Sequence, residues 1–309
     1  MAQLIIEEQK NQNQNLPALP SAWSLIIQSF GLYRRTIKSV FLVGLVPAII
    51  VVADYMFTSF GLMGMSALMG LLSVIVALFF YPALIIVITS ENSPSGIKSA
   101  SLAYKESRSL LGSYLVLVSL MAVAVAGGLL ILIIPAIYVG IMLSLSPFAW
   151  IIEGKKGKDA LAASWFYIKG NWWKISWRYL LAGIILAIIQ GFVSGIFSSF
   201  FPSQPISLPA GSIPYNVPAS LLTVAAPEVT LIVSLLSYFF SAPIMVALGF
   251  KIYQSLKNLK TVQIDEVGLA SGRKSVSRFI ILGIVAMILL IIIILGAFSF
   301  ALFQLKGLM

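Results

Sequence analysis

The chain has 309 residues, 60% of them hydrophobic and only 10% charged, with a mean hydropathy of +1.02. Water-soluble domains average about 45–50% apolar and about 25% charged residues, so that class is excluded. Histidine and cysteine are absent altogether, which removes imidazole bases, thiolate nucleophiles, disulfides and the usual zinc and haem ligands, and no cofactor is expected.

In chain order, residues 1–20 read as a polar cytoplasmic tail, with Glu7, Glu8, Lys10 and an Asn/Gln tract. No apolar core of a cleavable signal peptide is expected there. Windows of low charge then predict membrane spans at about 39–60, 67–89, 113–134, 135–152, 178–199, 229–250 and 279–303. Each suffices to cross a hydrocarbon layer of about 30 Å. The last is the plainest, since Phe279 to Phe303 holds eight Ile and five Leu with Ser299 as its only polar side chain. The expected fold is all-α and polytopic, with about seven transmembrane helices.

Amphipathic stretches precede several spans. Ser21 to Lys38 places Trp23, Ile26, Ile27, Phe30, Tyr33 and Ile37 on one stripe, and Asp159 to Ile175 does the same with Leu161, Trp165, Ile168, Trp172 and Ile175. A weaker version runs from Ile97 through Ala100 and Tyr104 to Leu111. These read as helices lying in the headgroup plane. Trp23, Arg34, Arg35, Trp165, Lys169, Trp172, Trp173, Lys174 and Trp177 are then the candidate contacts to lipid headgroups. Pro82, Pro147 and Pro243 fall within the spans that return, where proline frees a carbonyl and kinks the axis. The order of amphipathic stretch, outgoing span and proline-bearing returning span occurs three times, which suggests three repeated hairpins plus one extra span. On this reading residues 21–250 are a membrane domain, 251–278 a basic cytoplasmic linker, and 279–309 a final span with a short external tail. A Pro-rich external loop covers 200–228 and holds six of the 14 prolines.

Basic residues concentrate on the cytoplasmic side of membrane proteins. Threading seven spans from an inside N-terminus puts 19 of the 20 Lys and Arg on inner segments and leaves only Lys306 outside. The predicted orientation is N-terminus in, C-terminus out. The net charge of +10 follows from this bias and from attraction to anionic lipid, so nucleic-acid binding is not expected.

Asp54 is the one ionisable side chain expected inside a span, near its outer end. Gln190 with Ser194, and Ser234 with Ser237, reach a similar depth and complete a candidate polar site. Two readings fit: a pocket for a proton, ion or small polar solute, or hydrogen bonding between helices. Gly183, Ala187, Gly191 and Gly195 form a ladder of small residues suited to close packing against another helix, within the chain or in a second copy or other membrane protein. Glu153, Asp159 and the lysines between them read as a solvated turn. Without His, with a single intramembrane Asp and with no phosphate-binding loop, catalysis is not expected.

Pro135, Pro147, Glu153-Gly154, Ala160, Ser164-Trp165, Lys169-Gly170 and Trp172-Trp173 follow one another in an order that resembles the membrane domain named after glycerophosphoryl diester phosphodiesterases and related bacterial and archaeal integral-membrane families. The phosphodiesterase activity of that family resides in a separate soluble domain, so the resemblance implies a membrane region and no activity. Together these features lead to a non-enzymatic protein of a prokaryotic cytoplasmic membrane that binds lipid headgroups or a membrane partner. The alternative is a transporter or permease component with a polar site in the outer half of the membrane.

Overall fold

The computed structural model describes residues 19–92, 96–201, 204–205, 223–224, 226–260 and 266–306, and their side chains except at 92, 204–205, 223–224, 266–267 and 298–306. The polar tail up to residue 18, most of the Pro-rich loop, residues 261–265 of the basic linker and the tail at 307–309 lie outside the described residues. The helices are α1 (Ala22–Ser59), α2 (Met63–Thr89), α3 (Ala100–Ile131), α4 (Ile133–Leu143), α5 (Ser146–Glu153), α6 (Lys158–Ile168), α7 (Trp172–Phe200), α8 (Pro227–Leu236), α9 (Ala242–Lys260) and α10 (Glu266–Lys306). A π-helical turn, Ser237–Ser241, joins α8 to α9. Gln204–Pro205 pairs with Thr223–Val224 in a two-residue antiparallel bridge.

Seven segments are long and apolar enough to cross a membrane: α1, α2, α3, α4 with α5, α7, α8 through α9, and most of α10. The protein is a multi-pass membrane protein with an all-α polytopic fold. Its residues cluster into two compact units. One holds Gly112–Trp177, the chain from Gly249 onward and the start of α1; the other holds Ile26–Leu111 and Arg178–Leu248.

The amphipathic stretches behave differently from the expectation. Residues 21–38 do not form a separate in-plane helix but run unbroken into the first span as α1, whose 38 residues make a rod of about 57 Å at 1.5 Å per residue. No Gly or Pro stands between Leu32 and Val43 to stop the helix propagating. Its buried residues include Leu25, Ile26, Ser29, Leu32, Thr36, Val40 and Val43; of the expected stripe Ile26 is buried, Phe30 and Tyr33 are half-buried, and Trp23, Ile27 and Ile37 are exposed. The stretch before the third span likewise continues as part of α3. Only α6 is a separate short helix, because Gly170 at φ +86° turns the chain before α7. It is not half-exposed to lipid: Ala160 through Trp165, Tyr167 and Ile168 are all buried.

In the first unit α10 lies against both α3 and α6 through glycines. A methyl group at Gly283 or Gly127 would overlap backbone where α10 meets α3, and one at Gly272 would sit 2.8 Å from the Ala162 carbonyl of α6. α10 begins at Glu266 and so includes the second half of the expected linker.

Two prolines leave the carbonyl four residues earlier without its amide, and a hydroxyl from another helix answers each; two serines bond carbonyls in the turns near two further prolines. Pro47 cannot donate to the Val43 carbonyl, which accepts instead from Tyr104 at 2.7 Å. Pro243 leaves the Phe239 carbonyl open, and Tyr33 donates to it at 2.8 Å. One turn before Pro82, Ser107 donates to the Phe79 carbonyl at 3.0 Å. At the break that precedes Pro147, Ser164 donates to the Met142 carbonyl at 2.7 Å and accepts from the Leu145 amide at 3.1 Å. These bonds bring a polar group to four carbonyls in an apolar setting.

Tyr104→Phe is therefore expected to cost about 1–2 kcal/mol in reversible unfolding from detergent micelles, the scale of a buried acceptor left unmade. In a Pro47→Ala background the same change is expected to cost close to nothing, because the amide at position 47 then bonds Val43. Equal costs in the two backgrounds would show that the tyrosine does not serve the proline.

Candidate functional site

Within the second unit, the C-terminal end of α1 and the start of α8 enclose a cleft of about 310 Å³, inside the size range of small-molecule sites. Asp54, Tyr55 and Thr58 project from α1, and Thr230 and Ser234 from α8, with Val51, Pro227 and Leu231 completing the wall. The spacing of 51, 54, 55 and 58 puts four residues on one helical face, as does 227, 230, 231 and 234. Thr58 donates to Ser66 of α2 at 3.1 Å, and Ser66 donates to Asp54 Oδ1 at 2.6 Å. Tyr55 donates to Glu228 at 3.3 Å. Two carboxylates that only accept hydrogen bonds thus stand beside a lining without Lys or Arg.

The structure divides the predicted polar set. Asp54 and Ser234 share the cleft, while Gln190 of α7 donates to Ser237 at 3.0 Å and to Ser241 at 2.8 Å. Ser194 joins neither group. Tyr55, Thr58, Ser66 and Thr230 were missed from sequence, although Tyr55 and Thr58 are the nearest polar neighbours of Asp54 on its own helix.

The candidate headgroup contacts also divide. Trp173 is 74% exposed, and Trp23 and Trp177 are exposed too. Arg34 and Lys174 are exposed, and Arg35 reaches Glu91 at 2.9 Å from a largely solvent-facing position. Trp172 is half-buried, its indole nitrogen donating to the Tyr138 carbonyl at 3.3 Å. Trp165, however, is only 7% exposed, and its ring packs on Tyr138 and Phe279. It is a core residue: the step of four that suggested a lipid face is a protein-packing period. Lys169 is exposed, and its carbonyl accepts from Lys260. Of the ladder on α7, Ala187, Gly191 and Gly195 are exposed and Gly183 is half-buried. A methyl group at any of the three glycines would meet nothing within 4 Å.

The first unit holds a polar centre that sequence reasoning took for a solvated turn. Glu153 ends α5, where Gly154 at φ +67° closes the helix. Its side chain is only 11% exposed. Its Oε1 accepts from Tyr167 at 2.6 Å and from Tyr253. Lys155 pairs with Oε2 at 2.7 Å, and Lys257 stands 3.8 Å from Oε1. Burial, together with the adjoining carboxylate, pushes the Tyr167 hydroxyl above its ordinary pKa, so it remains a donor at neutral pH. Close by, Lys260 donates to the Phe166 and Lys169 carbonyls at 2.6 and 2.8 Å, capping the C-terminus of α6. Asp159 and Arg273, at 2.7 Å, form an exposed pair that contributes little. All the donors to Glu153 are satisfied within the fold, so this centre reads as structural. No cluster of three or more acidic side chains able to hold a metal ion occurs among the described residues.

Comparison of the chain with protein-family models, with curated proteins and with solved structures gives no match.

Replacing Glu153 by Leu leaves the buried Tyr167 and Tyr253 hydroxyls without their acceptor and removes the Lys155 ion pair, and is expected to lower stability by about 3 kcal/mol. Glu153→Gln keeps an acceptor for the tyrosines and is expected to cost about half as much. Thermal unfolding of the purified variants measures both; equal loss from both would mean that charge, and not the tyrosine bonds, holds the centre together.

Proposed function

We propose that this protein is a seven-pass cytoplasmic-membrane protein, N-terminus inside and C-terminus outside, that acts by binding a small cationic or donor-rich solute and not by covalent chemistry. The cleft beside Asp54 carries this reading. Its acceptors, Asp54 Oδ1 and Oδ2, the hydroxyls of Thr58, Thr230 and Ser234, and the nearby Glu228, suit an ammonium group, a cation or a solute rich in N–H and O–H. It lies at the ends of α1 and α8 remote from the basic collars, so under the positive-inside rule it opens outward. The π turn and Pro243 interrupt the helix that supplies half the lining, as broken helices do at the solute sites of transporters. A component of a transporter or permease is the function most consistent with this arrangement.

A second reading has its own support. Trp173 and Trp177 expose indoles beside Lys169 and Lys174, a combination that anchors a helix end among anionic headgroups. This describes how the chain sits in lipid and is compatible with the first reading. The resemblance of residues 135–173 to a membrane domain without catalytic activity of its own agrees with both.

Titration of the purified protein with methylammonium and with potassium tests the site. Binding of either probe, weakened about tenfold or more in Asp54→Asn, is expected from loss of a charge-assisted contact. Failure of both to bind, or binding unchanged in the variant, removes the cleft from consideration. For the orientation, a reporter active only outside is expected to respond when fused at the C-terminus and stay silent at the N-terminus; equal responses from both ends would refute an odd number of crossings.

A further inference from the structure

The π-helical turn between α8 and α9 has an identifiable cause and a consequence for the cleft. The Ala242 amide reaches back five residues to the Ser237 carbonyl instead of four, so one residue more than an α-helix needs is packed into this turn. Three consecutive aromatic rings leave it for different neighbours. Tyr238 meets Phe80 of α2 edge-on at 5.4 Å. Phe239 stacks on Phe41 of α1 at 4.7 Å, where Gly44 gives it room: a methyl group there would lie 2.8 Å from the ring. Phe240 packs on Phe30 and Tyr33. Across the turn, the Gln190 amide donates to Ser237 and to Ser241, one serine at each end.

The extra residue sets which side of α8 faces Asp54. With α9 held in place, relaxing the turn to α-helical pitch would advance every residue of α8 by one position, a rotation of about 100°. Leu231 and Leu235 would then occupy the places of Thr230 and Ser234, and the α8 side of the cleft would lose its hydroxyls. Gln190 is the side chain that bonds both ends of the turn.

We propose that Gln190 is a positioning residue for the cleft: by bracing the Ser237–Ser241 turn it keeps α8 in the register that presents Thr230 and Ser234 to Asp54. This rests on the cleft being the functional site, but its test reads the helix register directly and requires no solute. The chain contains no cysteine, so single cysteines report without background. With Gln190 present, Ser234→Cys is expected to react with a membrane-impermeant maleimide and Leu235→Cys to react slowly. Adding Gln190→Leu is expected to slow labelling at position 234 about tenfold, the scale of two hydrogen bonds lost, and to raise it at 235.

Deleting Ser237 in the Gln190→Leu protein removes the surplus residue, lets the turn become α-helical with both flanks in place, and is expected to restore labelling at 234. Labelling at 234 that is indifferent to Gln190→Leu overturns the proposal. So does a loss at both positions that the deletion fails to rescue, which marks Gln190 as a folding residue only. Correct register shifts with no binding of methylammonium or potassium would leave the brace standing and refute the solute site alone.

Discussion

A carbonyl freed by proline inside a membrane helix has no water to turn to, and in this protein it turns to a hydroxyl on another helix. Tyr33 and Tyr104 supply these hydroxyls to the carbonyls freed by Pro243 and Pro47, and Ser107 and Ser164 bond carbonyls in the turns near Pro82 and Pro147. A hydroxyl suits the task because it brings one rotatable donor and no charge to desolvate. Between apolar helices in lipid there is little hydrophobic drive, and van der Waals packing has to hold them together. Such packing alone tolerates many rotations. A tyrosine that must reach one particular carbonyl tolerates few, so Tyr104 and Ser107, one turn apart on α3, set the facing of α1 and α2 together. Each bond contributes only about 1 kcal/mol net, yet leaving its acceptor bare costs more than forming it gains. Their main effect is on specificity.

The polar features follow the same rule of answered groups. Glu153, only 11% exposed, is met by two tyrosines and two lysines, and Lys260 caps the end of α6. The cleft departs from this pattern. Asp54 Oδ1 accepts from Ser66, while Oδ2 takes no hydrogen bond among the described residues, and the lining hydroxyls of Thr230 and Ser234 point the helix's polar face at it. This end of the second unit thus turns acceptor groups toward the cleft, and the proposed solute site rests on them.

The spans were legible because length and freedom from charge are one-dimensional properties, and the prolines were legible because their chemistry is local. The facing of the helices was not. In lipid the outward side is as apolar as the inward one, so a stripe of Trp23, Ile27 and Ile37 marks no interior, while the true stripe contains Ser29 and Thr36. Thr36 can be buried since its hydroxyl returns to the Leu32 carbonyl at 3.0 Å, one turn back on its own helix. Gln190 and Ser237 were found by matching depth across two spans. Glu153 escaped because Tyr253 stands 100 residues away in sequence. Within residues 135–173, Ser164 bonds both sides of the break before Pro147, Gly154 and Gly170 take positive φ, and Glu153 accepts from two tyrosines.

Glycines serve two different situations in this chain. Gly183, Ala187, Gly191 and Gly195 recur every four residues, and within the chain their face is largely exposed, which leaves it open to a second copy or another membrane helix. Gly127 and Gly283, with no such periodicity, are where two helices come so close that a methyl group would enter the backbone. Close approach belongs to one point on each of two helices, and a single glycine on either side meets that need. A periodic face is required only when helices run side by side over several turns. Helices that diverge after one contact leave their glycines isolated in sequence, and the signal for the crossing is then a pair of positions that only the folded chain brings together.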